Sequence, residues 1–136
     1  MPRSPLPPDL RRFIEKPRHA VVGTARPDGS PVTTPCWYGV TEDGRIMLSM
    51  SEDSHRLRHL QSDPRLSLSV LGDDWYSHVS FLARALESRP DTDFTDIDAL
   101  SLRYEGVPYE DRSYRGVTVL AEIESWHTWG DPAAEA

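Results

Sequence analysis

The chain has 136 residues, 38% of them hydrophobic, and a net charge of −7. That length supports one domain around a single core, and the acidic balance excludes general binding to nucleic acid or anionic membranes. No apolar run is long enough to cross a bilayer, and one cysteine, Cys36, excludes an intramolecular disulfide and fits a reducing cytoplasm.

Residues 1–8 carry four prolines and read as a flexible segment without a signal-peptide pattern. The domain proper is expected over 9–130. Leu10, Phe13 and Ile14 keep helical spacing after Asp9, and Pro17 ends that short helix. His19 to Arg26 reads as a strand, Asp28-Gly29 as a hairpin turn, and Pro31 to Val40 as the returning strand. Glu42-Asp43-Gly44 turns the chain into a third strand, Arg45 to Ser51, with Ile46 and Leu48 on one face.

A helix from about Ser54 to Ser62 follows, ended by Asp63-Pro64, with Leu57 and Leu60 toward the core. Arg65 to Leu71 alternates cleanly as a half-buried strand. In His78 to Glu87, Val79, Phe81, Ala83 and Ala85 share one side while Leu82 and Leu86 lie opposite, which suits a barrel or a subunit interface. Arg89 to Asp93 reads as a loop. Thr95 or Asp96 is expected to cap a helix running through Tyr104, with Ile97, Leu100 and Tyr104 as its apolar stripe. A polar loop over 107–115 leads to a last strand, Gly116 to Trp129, and residues 131–136 read as a disordered tail. Six or so strands joined mostly by hairpins predict a mainly β, antiparallel barrel with peripheral helices.

The densest functional signal is Ser49 to Arg65. It gathers His55, Arg56, Arg58 and His59 into one short helix of an acidic chain. A helix N-terminus offers unpaired N–H groups and positive potential, so hydroxyls and guanidinium groups beside it make a phosphate site. The competing reading for Arg56 and Arg58 is a solvated face; two residues apart, they cannot share one side of the helix. Ser51 and Ser54 suit phosphate oxygens or helix capping equally. His55 and His59 are four apart, but neighbouring arginines repel a cation and no third ligand is evident, so no metal is expected. Trp37 reads as the wall of a flavin site or as a core or interface tryptophan. Cys36 has no adjacent base and reads as an inert thiol rather than a nucleophile. Tyr76, Tyr104, Tyr109 and Tyr114, with the Trp126-His127-Thr128-Trp129 cluster, are unranked candidates for a substrate pocket; His127 is a weak candidate acid.

The order of elements and five motifs together resemble the pyridoxamine 5′-phosphate oxidase-like family of split β-barrels that bind flavins, and within it the branch using the deazaflavin F420. The motifs are Thr34-Pro35-Cys36-Trp37-Tyr38, Ser54 to Arg65, Arg84-Ala85, Leu102 to Tyr109, and Trp129-Gly130. Arg56 stands at the family's usual lysine, His59-Leu60 at its Asn-Leu, and Ala83 at a glycine. The resemblance implies a homodimer with two cofactor sites at the interface. It also implies phosphate bound near Ser49, Met50, Ser51, Ser54, His55, Arg56 and Arg58, and a ring along Thr34, Pro35, Cys36 and Trp37. The implied activity is hydride transfer between reduced F420 and a small unsaturated organic substrate. FMN with oxidase or reductase chemistry is the alternative, and a non-enzymatic flavin-binding or structural dimer module the third reading.

Overall fold

The computed structural model describes residues 5–136, so the first half of the proline-rich segment, residues 1–4, lies outside the described residues. Helix α1 (Pro8–Glu15) begins on the last residue assigned to that segment, because proline's missing N–H costs nothing at the first helical position. Its buried Leu10, Phe13 and Ile14 form the expected stripe. Strands β1 (Ala20–Ala25) and β2 (Pro31–Cys36) make a hairpin whose turn places Gly29 at φ 88°, a conformation glycine adopts without strain.

The expected single strand to Val40 is interrupted. Tyr38 turns fully inward, and its hydroxyl donates to the carbonyls of Ile14 and Lys16 at 2.8 and 3.0 Å. Gly39–Val40 then forms a separate strand, β3. Strand β4 (Ile46–Ser51), helix α2 (His55–Ser62) and strand β5 (Arg65–Leu71) fall where the pattern predicts.

Strand β6 (His78–Pro90) runs three residues past the predicted end at Glu87, so its last residues take part of the expected loop. Register shifts at Leu82/Ala83 and Ala85/Glu87 bend it, and its distal half stays paired with β7 (Gly116–Trp129) as far as Pro90 opposite Val117. Between them, α3 (Thr95–Glu105) is capped by neither Thr95 nor Asp96. The Asp91 carboxylate reaches forward and accepts from the backbone N–H groups of Asp96 and Ile97, both at 3.0 Å. Gly106, at φ 77°, closes the other end by donating back to Leu102.

The result is an open antiparallel sheet in the order β2-β1-β5-β6-β7-β4-β3. Its two edge strands are joined through Trp37 and Tyr38 alone, so the sheet curls back on itself without the edges pairing. This is the split barrel expected from the sequence, with a seventh strand created by the break at Tyr38. Phe13, Ile14, Leu48, Leu68, Val79 and Phe81 fill its interior.

The tail is ordered, contrary to expectation. Pro132–Glu135 forms a 3₁₀ turn with Pro132 buried. The cause is Arg18, whose side chain is 5% exposed and whose charge needs partners. Its guanidinium donates to the carbonyl of Glu135 at 2.7 Å and lies 3.8 Å from the Glu135 carboxylate, which also accepts from the Asp73 backbone at 2.6 Å.

Candidate functional site

A cleft of about 560 Å³ opens where β2 ends and α2 and α3 approach. It is lined by Pro35, Cys36 and Trp37, by Ser49 and Arg56, and by Tyr104, Glu105 and Tyr109, with His19 at the rim and Ile97 and Leu100 at its base.

Strand alternation decides what β4 contributes. Ile46, Leu48 and Met50 point inward, so Met50 is a core residue and its side chain does not reach the site. Ser49 and Ser51 point the other way. Ser49 lines the cleft, while the Ser51 hydroxyl accepts from the Asp53 N–H at 3.3 Å. Ser54 is the N-cap of α2, its Oγ accepting from Leu57 at 3.2 Å, so its acceptor serves the helix.

Helix periodicity separates the two arginines as expected. Arg56 faces the cleft and makes no hydrogen bond or ion pair with the described residues. Arg58 projects outward and lies 3.1 Å from Nδ1 of His55, also exposed. His59 is buried, its Nδ1 2.9 Å from the Thr24 hydroxyl, so it pins the helix to β1. Among the described residues no cluster of His, Cys, Asp and Glu could hold a metal ion.

On β2, Thr34 is half-buried outside the cleft lining, whereas Pro35, Cys36 and Trp37 border it. Burial pushes the Cys36 thiol up to about 11, and the nearby Arg56 charge offsets this in part. The thiol is therefore protonated at neutral pH, which agrees with an inert role. Trp37 stacks on Tyr104 with ring centroids 5.4 Å apart and 8° between planes, and meets the edge of Tyr109 at 6.0 Å. The Tyr104 hydroxyl donates to the carbonyl of Arg18 at 2.7 Å.

The structure thus brings together five of the predicted positions: Pro35, Cys36, Trp37, Ser49 and Arg56. It leaves Thr34, Ser51, Ser54, His55 and Arg58 around the periphery. It ranks the tyrosines, placing Tyr104 and Tyr109 in the cleft and Tyr76 at an exposed turn stacked on Trp75. Trp126 packs against the core, and His127 faces His78 at 6.5 Å, away from the cleft. His19 and Glu105 carried no signal in the sequence; they border the site because the end of α3 is tied to the chain just before β1, Arg103 donating to the carbonyls of Ile14 and Lys16 and Tyr104 to that of Arg18.

Residues 6–130 match the family model described as pyridoxamine 5′-phosphate oxidase. No curated protein matches the sequence. Many solved structures resemble the chain, three of them as follows. One described as an F420 reductase has a TM-score of 0.80 at 21% identity, covering 90% of this chain and 98% of the other. The conserved hypothetical protein Rv2991 from Mycobacterium tuberculosis has a TM-score of 0.72 at 25% identity, covering 98% and 90%. General Stress Protein 26 from Bacillus anthracis has a TM-score of 0.62 at 14% identity, covering 89% and 91%.

Proposed function

The chain belongs to the pyridoxamine 5′-phosphate oxidase family, and from that premise we propose that it is an oxidoreductase whose cleft binds the deazaflavin F420. The observation that carries this reading is Arg56: a half-buried guanidinium facing a cleft beside an edge strand, with no partner among the described residues. A phosphate there would gain a charge-assisted contact that the protein itself leaves unmade. The likeness to a structure described as an F420 reductase supports the deazaflavin.

The residues present fit such a group. Arg56 and the Ser49 hydroxyl supply a cation and a donor for the phosphate. Strand β2 pairs with β1 on one side only, so the main chain near Pro35 and Cys36 has groups free for the polar edge of a ring. When bound, the cofactor supplies hydride chemistry. The protein's part is to hold the phosphate at Arg56, wall the cleft with Trp37 and Tyr104, and keep the Cys36 thiol protonated and unreactive.

FMN remains the second reading, and the outward turn of Arg58 favours it. An F420 tail would draw on cations beyond Arg56, and Arg58 does not line the cleft. We further propose a homodimer. Among the described residues no helix covers Leu82 on the outer sheet face; it is 48% exposed above a shallow depression of about 390 Å³ with Gly23, Thr33 and Ser67.

Titration of the purified protein with F420 and with FMN, followed by tryptophan quenching, tests the assignment. Saturable micromolar binding of F420 alone is expected. Tight FMN binding with none for F420 would move the assignment to FMN, and binding of neither would end both enzyme readings.

A further inference from the structure

We propose that His59 is the positioning residue of the cleft: its bond to Thr24 fixes where α2 holds Arg56 relative to the strand that carries Cys36. The bond is a buried polar tie behind the cleft wall. His59 Nδ1 and the Thr24 hydroxyl lie 2.9 Å apart, with His59 8% and Thr24 5% exposed.

Helix α2 spans about two turns, and its other buried residues are Leu57 and Leu60. Contacts between aliphatic side chains have no direction, so they hold the helix on the sheet without setting its rotation or its slide. A hydrogen bond weakens steeply away from its preferred distance and angle, and inside the core no water stands ready to replace it. The His59 bond therefore supplies the direction that the leucines lack. Arg56 precedes His59 by three residues, so the two are neighbours on the helix surface, one aimed at the cleft and the other at the sheet.

The other end of the bond is just as well placed. Thr24 shares the inward side of β1 with Ala20 and Val22. Ala20 lines the cleft and pairs in register with Cys36. One helical turn, one hydrogen bond and four residues of strand thus link Arg56 to the place where Pro35 and Cys36 border the cleft. Arg56 makes no bond with the described residues, so its location follows the helix that carries it.

Cys36 reports this link in the cofactor-free protein. Burial raises its thiol, and the Arg56 charge offsets part of that rise. Drift of Arg56 away from Cys36 lowers the thiolate fraction and slows alkylation, whereas a fold that merely loosens exposes the thiol and speeds it. Thr24→Val removes the hydroxyl and keeps the branched shape; His59→Leu removes the ring nitrogen; His59→Asn keeps a polar atom at the δ position. At fixed pH, Thr24→Val and His59→Leu are each expected to slow iodoacetamide alkylation of Cys36 about threefold or more, and His59→Asn to stay within about twofold of wild type. Added to Arg56→Ala, Thr24→Val is expected to change the rate no further, because the charge it displaces has gone. Thr24→Val carries the test should His59→Leu fail to fold. Unchanged or faster alkylation in Thr24→Val, or the same slowing in the Arg56→Ala background, overturns the role of His59.

A second measurement rests on the cofactor reading given above. Tryptophan quenching with F420, or with FMN if the wild type takes FMN, is expected to show affinity about fivefold weaker or more in Thr24→Val. Slower alkylation with cofactor affinity unchanged would keep the His59 tie and overturn Arg56 as the cofactor's anchor. If the wild type takes up neither cofactor, the proposed function fails, and the alkylation rates still decide the tie.

Discussion

Trp37 and Tyr104 lie face to face, 5.4 Å apart and 8° from parallel, and through this pair the linker between the sheet's two edges is held against α3. The Tyr104 hydroxyl extends the link by donating to the Arg18 carbonyl at 2.7 Å. Tyr104→Phe keeps the stack and loses that bond, leaving a part-buried carbonyl short of a donor. The expected cost is about 1 kcal/mol in urea unfolding. Tyr104→Ala also loses the ring and should cost about 3 kcal/mol, with the cleft loosened. Equal losses for the two variants would show that the stack contributes nothing.

Arg56→Ala should weaken cofactor binding more than tenfold, about 1.4 kcal/mol or more, as expected for loss of a charge-assisted contact. Stability should change little, because Arg56 holds no partner among the described residues. Arg58→Ala should leave affinity within about twofold, since its neighbour is the exposed His55. The comparison of the two variants by fluorescence titration separates a specific anchor from general positive charge. Equal effects would sink the assignment to Arg56.

Much of this contrast was legible in the sequence, because helical spacing alone puts Arg56 and Arg58 on different faces. Alternation in β4 was equally readable: Met50 follows Leu48 by two residues and shares its buried side. What the sequence could not show depends on how distant elements meet. Nothing local makes Asp91 the cap of α3. Tyr109 becomes a site residue only because Asp98 and Arg112 fold the loop back beside Trp37. The tail orders because buried Arg18 requires oxygen partners from elsewhere in the chain.

Cys36 gives an alkaline signature. Burial raises its thiol from 9.0 to about 11 in the folded protein. Between those values the unfolded chain has lost the proton and the folded chain still holds it, so stability falls as pH rises through that window. The contribution amounts to roughly 2 kcal/mol, fully present below pH 9. Cys36→Ala should flatten the decline between those pH values in denaturant titrations. Because the Arg56 charge opposes the shift, Arg56→Ala should push the thiol higher still and slow its alkylation by iodoacetamide. Faster alkylation in that variant would contradict the placement of Arg56 beside Cys36.

The uncovered sheet face predicts assembly. Leu82 stands opposite Ser67 on β5 and Ser125 on β7, so small neighbours leave it proud of the sheet. A second copy would bury it at little steric cost. Light scattering should give twice the chain mass of 15.4 kDa for the wild type. Leu82→Asp should return the protein to a monomer with its circular dichroism intact, because the residue is exposed within one chain. A wild-type protein that is monomeric at high micromolar concentration would refute the dimer.

The tail clasp can be weighed by removing residues 132–136. Arg18 would keep the Phe13 carbonyl at 2.7 Å and the more distant Asp73, 3.6 Å away and almost fully exposed. It would lose both the carbonyl and the carboxylate of Glu135. A buried guanidinium left short of acceptors should cost about 2 kcal/mol or more in unfolding free energy. Arg18→Met retains contact with the Phe13 ring, which the guanidinium now covers at 3.9 Å, and no longer needs an oxygen partner. In that background the same truncation should cost markedly less, because the unpaired charge has gone. A double-mutant cycle by urea denaturation measures this coupling. Additive losses would mean that the tail stabilises the fold through its other contacts, among them Pro132 packing and the bonds of Glu135 to Lys16 and Asp73, with no contribution from the Arg18 clasp.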